Sequence, residues 1–166
     1  MTFLPGVIRN LYFIAKNLDF ELVMVTNQDG LGTDAYPQEV FDSVQNKMLE
    51  ILAGEGITFH AIHIDKSYPH EGLSTRKPGT GMLTQYMDGS YDLAGSFVIG
   101  DRLTDVQLAQ NLGAKSILIT DKLGASDATF EVQNWDSIAE YLFAGERRAQ
   151  VVRKTNETDI QIDLNL

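Results

Sequence analysis

Three short runs of this 166-residue chain carry side chains suited to handling an anion. The first, Val23-Met24-Val25-Thr26-Asn27, ends an apolar stretch on a hydroxyl and an amide. Short polar side chains and free main-chain N–H groups at such a place suit a phosphate or a carboxylate. A turn or a helix cap uses the same residue types. The second run, Arg76-Lys77-Pro78, sets two cations side by side before a proline that fixes the backbone. A held lysine neutralises charge developing on a transferring phosphoryl group; a solvated basic dipeptide is the plain alternative. The third run, Gly100-Asp101-Arg102-Leu103-Thr104-Asp105, places two carboxylates across a strand-to-helix turn. Hard oxygen ligands there suit Mg2+, which takes one or two carboxylates together with substrate phosphate and water. Asp105 also stands where a residue can cap the helix that follows. The histidines say less. His60 and His63 read as members of one strand at odd spacing, so they point to opposite faces and share no ion. His70 reads as a solvated loop residue or a substrate contact.

Elements must hold these runs in place. Pro5–Leu18 carries apolar residues at helical spacing behind a proline suited to a first turn. Phe20–Val25 reads as a buried strand, Pro37–Gly54 as an amphipathic helix and Ile57–Ile64 as a strand. Asp65–Gly81 is a loop, and Met82–Met87 begins a short helix. Gly95–Ile99 is a strand, Asp105–Leu112 a helix closed by Gly113, and Lys115–Thr120 a strand. Trp135–Phe143 is the last helix; it and the methionines read as core. Short apolar strands alternating with helices argue for an α/β parallel sheet with helices on both faces. Ligands in such sheets sit beyond the carboxyl ends of the strands. That rule selects the loops Thr26–Gly32, Asp65–Pro78 and Gly100–Asp105. From Val151 the chain turns polar, and Asp159–Leu166 alternates strictly, as a strand with one wet face does. The division expected is one domain over residues 1–150 and a tail over residues 151–166.

Composition removes several classes of function. Thirteen Lys and Arg against twenty-three Asp and Glu give a net charge of −10. Such a field repels nucleic-acid backbones and anionic lipid, so neither is an expected partner. The absence of cysteine excludes a thiol nucleophile and a disulfide, and it fits a cytoplasmic protein. No apolar run approaches the roughly 20 residues of a membrane span, and the first residues lack a signal-peptide pattern. An anionic small substrate would need a local metal or a few well-placed cations.

Taken in order, VMVTN, RKP and VIGDRLTD resemble the haloacid dehalogenase superfamily of phosphatases. TNQDGLG, RKP and IGDRLTD look like its histidinol-phosphatase branch. VVRKTNETDIQIDLNL resembles the opening strand of the dehydratase half of the bifunctional histidinol-phosphatase/imidazoleglycerol-phosphate dehydratase, a lyase of histidine biosynthesis. The resemblance implies a Rossmann-like, three-layer α/β/α fold. It implies hydrolysis of histidinol phosphate through a phosphoaspartate, assisted by Mg2+. On that pattern Thr26 and Asn27 bind the phosphoryl group and Lys77 bridges nucleophile and phosphate. Asp101 ligates Mg2+, Asp105 supports the metal's waters, Arg76 neutralises the substrate phosphate, and Gln28 and Asp29 contribute to specificity. The rival readings are a heptose-type sugar-bisphosphate phosphatase and a non-catalytic, phosphate-binding or scaffolding domain.

Two departures from the pattern carry expectations. The family's first motif, a strand ending in D-x-D-G-T, has no counterpart, and Asp19 ends no buried strand. The nucleophile, the general acid/base aspartate and one metal ligand are then missing, so the chain as written is expected not to turn over. Its usual first strand would lie between the strands ending at Val25 and Ile99, and its loss leaves two edges facing each other. The tail Asp159–Leu166 is the expected filler, from the same molecule or exchanged between copies of a homo-oligomer. Secondly, Asp65–Thr75 has no cysteine where some relatives carry a Cys/His zinc loop, so no structural zinc is expected.

Overall fold

The computed structural model describes residues 2–146, 148–154 and 159–165. Its central layer is parallel. Strand β1 (Val23–Asn27) pairs with β2 (Ala61–Asp65), from Val23 beside Ala61 to Asn27 beside Asp65. Strand β3 (Phe97–Gly100) pairs with β4 (Lys115–Ile119), which pairs with β5 (Phe130–Val132). Helices α1 (Val7–Asn17) and α4 (Trp135–Glu146) cover one face of the three-stranded group. Ile14 and Leu18 meet Ile138 and Leu142 there, over Ile117 and Val132. On the opposite face lies α3 (Leu103–Leu112), whose Leu108 packs with Leu83 and Tyr86. Val23 and Val25 of β1 and Val98 of β3 join this second cluster, so both groups of strands share one apolar layer. Met24, on the other face of β1, meets Gln45 of α2 (Gln38–Gly54). Helices therefore sit on both sides of parallel strands, the three-layer α/β/α arrangement expected. No helix among the described residues is long and apolar enough to cross a membrane.

Helix ends follow local chemistry. Gly56, two residues past α2, and Gly113, directly after α3, take left-handed φ values of 77° and 73°. The amide of Ile57 then bonds back to Leu52 O and that of Ala114 to Ala109 O, satisfying carbonyls the helices leave open. Ile57, expected in a strand, is buried because it closes this cap. The strand itself starts only at Ala61. Phe20 and Leu22 are apolar for a similar reason: they pack on the α1–α4 cluster before β1 begins.

Three expectations are corrected. Met82–Met87 holds only a single 3-10 turn, Thr84–Tyr86. Glycines and Pro78 before it, and Asp88-Gly89 after it, leave room for one turn that buries Leu83 and Tyr86. Met87 is exposed rather than core. His60 lies outside β2, while His63 is within it and its ring nitrogen is 3.0 Å from the Tyr86 hydroxyl.

The tail is a strand, β7 (Asp159–Asn165), but it does not pair with β1 or β3. It pairs antiparallel with β6 (Arg148–Lys154), forming a separate two-stranded sheet. Only four residues separate the two strands in sequence, so the nearest open backbone edge is its own neighbour. β1 and β3 are thus not joined by strand pairing in this structure.

Candidate functional site

The loop after β2 is built on Asp65. Its buried carboxylate accepts the Ser67 N–H at 2.9 Å, the Ser67 hydroxyl at 2.5 Å and the Thr75 hydroxyl at 2.5 Å. Burial pushes its pKa up, yet the hydrogen bonds from Ser67 and Thr75 outweigh this and hold it below the usual value. The loop is thereby folded back across ten residues, and the chain tightens again where Gly79 N–H reaches Arg76 O at 2.7 Å. A Cβ on Gly79 would run into the Ser74 carbonyl, so only glycine closes this turn.

Between those anchors lies Lys77. Its main chain is gripped by Asn27, whose Oδ1 accepts the Lys77 N–H at 3.0 Å while Nδ2 donates to Lys77 O at 3.3 Å. The ammonium donates to Val25 O at 3.1 Å and to Asp105 Oδ1 at 2.8 Å. An ammonium carries three protons, so one remains for a ligand. Helix α3 holds the same loop at both ends, through Asp105 and through Asn111 Nδ2 on Pro78 O at 2.8 Å. All three sequence-selected loops therefore meet at the carboxyl ends of β1, β2 and β3.

Each candidate residue has a definite surrounding. Thr26 Oγ1 accepts from Gln28 Nε2 at 2.8 Å, and Gln28 Oε1 accepts from the Tyr36 hydroxyl at 3.2 Å. The Asn27 amide is engaged with Lys77, so it places the lysine. Arg76 and Asp29 form a two-pronged ion pair at 2.7 and 3.2 Å, and Arg76 also donates to Ser67 O at 2.6 Å. This guanidinium is mostly buried, which fits a residue held firmly at the rim. Sequence reasoning missed Asp65, Thr75, Tyr36 and Asn111. Asp65 had a readable signal, an aspartate two residues before a serine at a strand end, the pattern of an Asx turn. Tyr36 and Asn111 had none, because their partners are distant in sequence or set by loop shape.

Asp101 and Asp105 differ sharply. Asp105 is buried; Oδ1 takes Lys77 and Oδ2 accepts the Arg102 N–H at 3.2 Å, closing the first turn of α3. Asp101 is exposed, and its carboxylate meets no hydrogen-bonding or charged partner among the described residues. No three His, Asp or Glu side chains among those residues converge as a cage. One open carboxylate beside one already engaged does not make a caged metal centre. It does fit Mg2+, which keeps most of its waters and takes one or two carboxylates plus phosphate oxygens.

The chain has relatives among known proteins. Residues 74–142 match the Hydrolase_like family, described as HAD-hydrolase-like. The whole chain is 55% identical, over 174 aligned positions, to the histidine biosynthesis bifunctional protein HisB of Bacteroides fragilis. The chain is similar to the haloacid dehalogenase superfamily. The HisB protein of Spirosoma linguale is 49% identical, again over 100% of this chain. The chain spans about half the length of these relatives, 46% and 48%. Among solved structures of the superfamily, a D,D-heptose 1,7-bisphosphate phosphatase from B. bronchiseptica, complexed with magnesium and phosphate, superposes with a TM-score of 0.73. It is 28% identical, and the match covers 84% of this chain and 83% of that one. The family was thus legible in the order and strand context of VMVTN, RKP and VIGDRLTD, and the fold agrees.

Proposed function

We propose that this chain forms the phosphoryl-binding part of a phosphomonoesterase acting on histidinol phosphate in histidine biosynthesis. The observation that carries the proposal is the double grip on Lys77. Its ammonium is fixed between Val25 O and Asp105, which leaves one of its three protons for a ligand. A lysine held in this way offers positive charge to a phosphoryl group without having to reorganise when that group transfers. Thr26, directly after Val25, adds a hydroxyl, and Arg76 sits at the rim. Asp101 would hold Mg2+, with Asp105 bracing the surrounding waters from behind Lys77. Bound there, Mg2+ supplies charge neutralisation on the phosphoryl oxygens.

Neither carboxylate beside the lysine suits the role of attacking group. Both oxygens of Asp105 are engaged, and Asp101 is the group assigned to the metal. The reading is therefore of a site that binds a phosphoryl group, and the nucleophile of the family pattern has no counterpart among the described residues. The likeness to HisB proteins, at 55% and 49% identity, favours a histidine-biosynthesis substrate in a cytoplasmic, bifunctional protein. On this reading the segment from residue 151 leads into the dehydratase half. The heptose bisphosphatase, at 28% identity, supports a sugar bisphosphate as the second reading.

Calorimetry on this chain, with inorganic phosphate in the presence and absence of Mg2+, tests the proposal. Phosphate binding that strengthens with Mg2+ supports it, and no binding in either condition overturns it. Competition by histidinol phosphate against heptose bisphosphate then separates the two substrates.

A further inference from the structure

A threonine hydroxyl has a single proton, which it can give either to a ligand or to a protein acceptor. At Thr26 the neighbours decide between the two. Gln28 Nε2 lies 2.8 Å from Thr26 Oγ1. An amide nitrogen only donates, so the threonine oxygen is the acceptor in this bond and its own proton stays available. Turning the Gln28 amide over would present Oε1 to Thr26 and capture that proton. What opposes this is Tyr36, whose hydroxyl lies 3.2 Å from Gln28 Oε1.

The chain of bonds could in principle run in either direction, because both hydroxyls can donate and accept. Acidity breaks the symmetry. A phenol, with a pKa near 10, is a far stronger donor than an aliphatic hydroxyl. Its oxygen is also the poorer acceptor, since a lone pair is shared with the ring. The favoured order is therefore Tyr36 to Gln28 to Thr26. An anion accepting from Thr26 polarises the row further in that direction. Tyr36 is itself well placed. Its N–H bonds to Thr33 O at 3.1 Å, its carbonyl accepts from Gly32 at 2.9 Å, and its ring stands edge-on to Phe41 at 6.2 Å.

We infer that Tyr36, acting through Gln28, is a positioning residue that aims the Thr26 hydroxyl proton at a bound tetrahedral anion. This rests on the phosphoryl-binding reading of the site. Tyr36 touches no ligand itself; its contribution is the direction of a row of hydrogen bonds.

The test uses the full chain and inorganic phosphate with Mg2+. Thr26→Val should weaken phosphate binding by about tenfold or more, the loss of a hydrogen bond to a charged group. Thr26→Ser should restore most of it. Tyr36→Phe keeps the ring against Phe41 and should weaken binding by roughly threefold to tenfold, a coupling of the size seen between residues in one network. In the Thr26→Val background Tyr36→Phe should add nothing. An equal effect in both backgrounds overturns the inference, because a purely structural role would act in each. A second readout needs no ligand: the Gln28 side-chain amide protons, followed by NMR, should exchange several-fold faster with solvent in Tyr36→Phe. Unchanged exchange overturns the orienting role even where phosphate binds. Faster exchange in a chain whose wild type binds no phosphate leaves the row intact but overturns the anion-directed purpose, and with it the site reading.

Discussion

Lys77 Nζ and Asp105 Oδ1 lie 2.8 Å apart, joining the loop after β2 to the first turn of α3 across twenty-eight residues of chain. Their side chains are only 16% and 8% exposed. The same ammonium bonds Val25 O, a main-chain acceptor on a strand that pairs, among the described residues, with β2 alone. One side chain thus ties β1 to the first turn of α3.

Breaking that pair from one side should be costly. Asp105→Ala leaves a mostly buried ammonium with Val25 O as its main partner, and about 3 kcal/mol or more of stability should be lost. The double variant Lys77→Met, Asp105→Leu should recover much of this in urea denaturation, since an apolar pair of similar volume often substitutes without loss. Phosphate binding should stay abolished in the double variant. Recovery of binding together with stability would show that Lys77 is structural only.

Asp101 should behave in the opposite way. Its carboxylate is exposed and unpartnered among the described residues, so Asp101→Asn should change stability by less than about 0.5 kcal/mol. The Mg2+ dependence of phosphate binding should disappear. A Mg2+ titration at fixed phosphate, run beside a thermal melt, checks both halves.

Gly100 carries no side chain, yet it should be sensitive. A Cβ at this position would strike the Asp105 carboxylate. Gly100→Ala should displace Asp105 from Lys77, lower stability by about 1–3 kcal/mol as overpacking does, and weaken phosphate binding. Gly54, whose Cβ would meet open space in α2, is the control. Gly54→Ala should leave binding unchanged.

Burial holds the His63 pKa below its ordinary value, with the ring against Tyr86 in the apolar layer under β1 and β2. The unfolded chain takes up a proton near pH 6.5, while the folded chain resists doing so until lower pH. Stability from this residue is therefore complete above about pH 6.5 and falls as the pH drops below it. Urea midpoints at pH 7.5 and 5.5 should show a smaller acid loss for His63→Gln than for the wild type. An identical loss in both would place the acid sensitivity elsewhere.

Much of the site was legible because its residues stand at ends of elements. A strand ending in Thr26-Asn27 and another running into Gly100-Asp101 had to open on the same edge of a parallel layer, and they do. What each side chain does there was not legible. Asn27 carried the mark of a phosphate ligand, and its side chain grips the Lys77 backbone, which the sequence did not announce. Asp105 could equally cap a helix or support a metal. It closes the first turn of α3 and also pairs with Lys77, which no spacing in the sequence foretells. Within one chain the tail strand Asp159–Asn165 pairs with β6 and not with β1 or β3, for a related reason: alternation fixes that a segment is extended, but not which edge it meets.

The order of apolar runs, glycines and prolines determined by itself that this chain builds parallel strands between helices, because burying one face of each element leaves few alternatives. It also determined which loops open at the carboxyl edge. The tertiary structure alone decided how charge is shared at that edge. Lys77, Asp105 and Val25 meet through contacts between residues far apart in the chain, and only the folded geometry selects which hydrogen-bond partners come within reach.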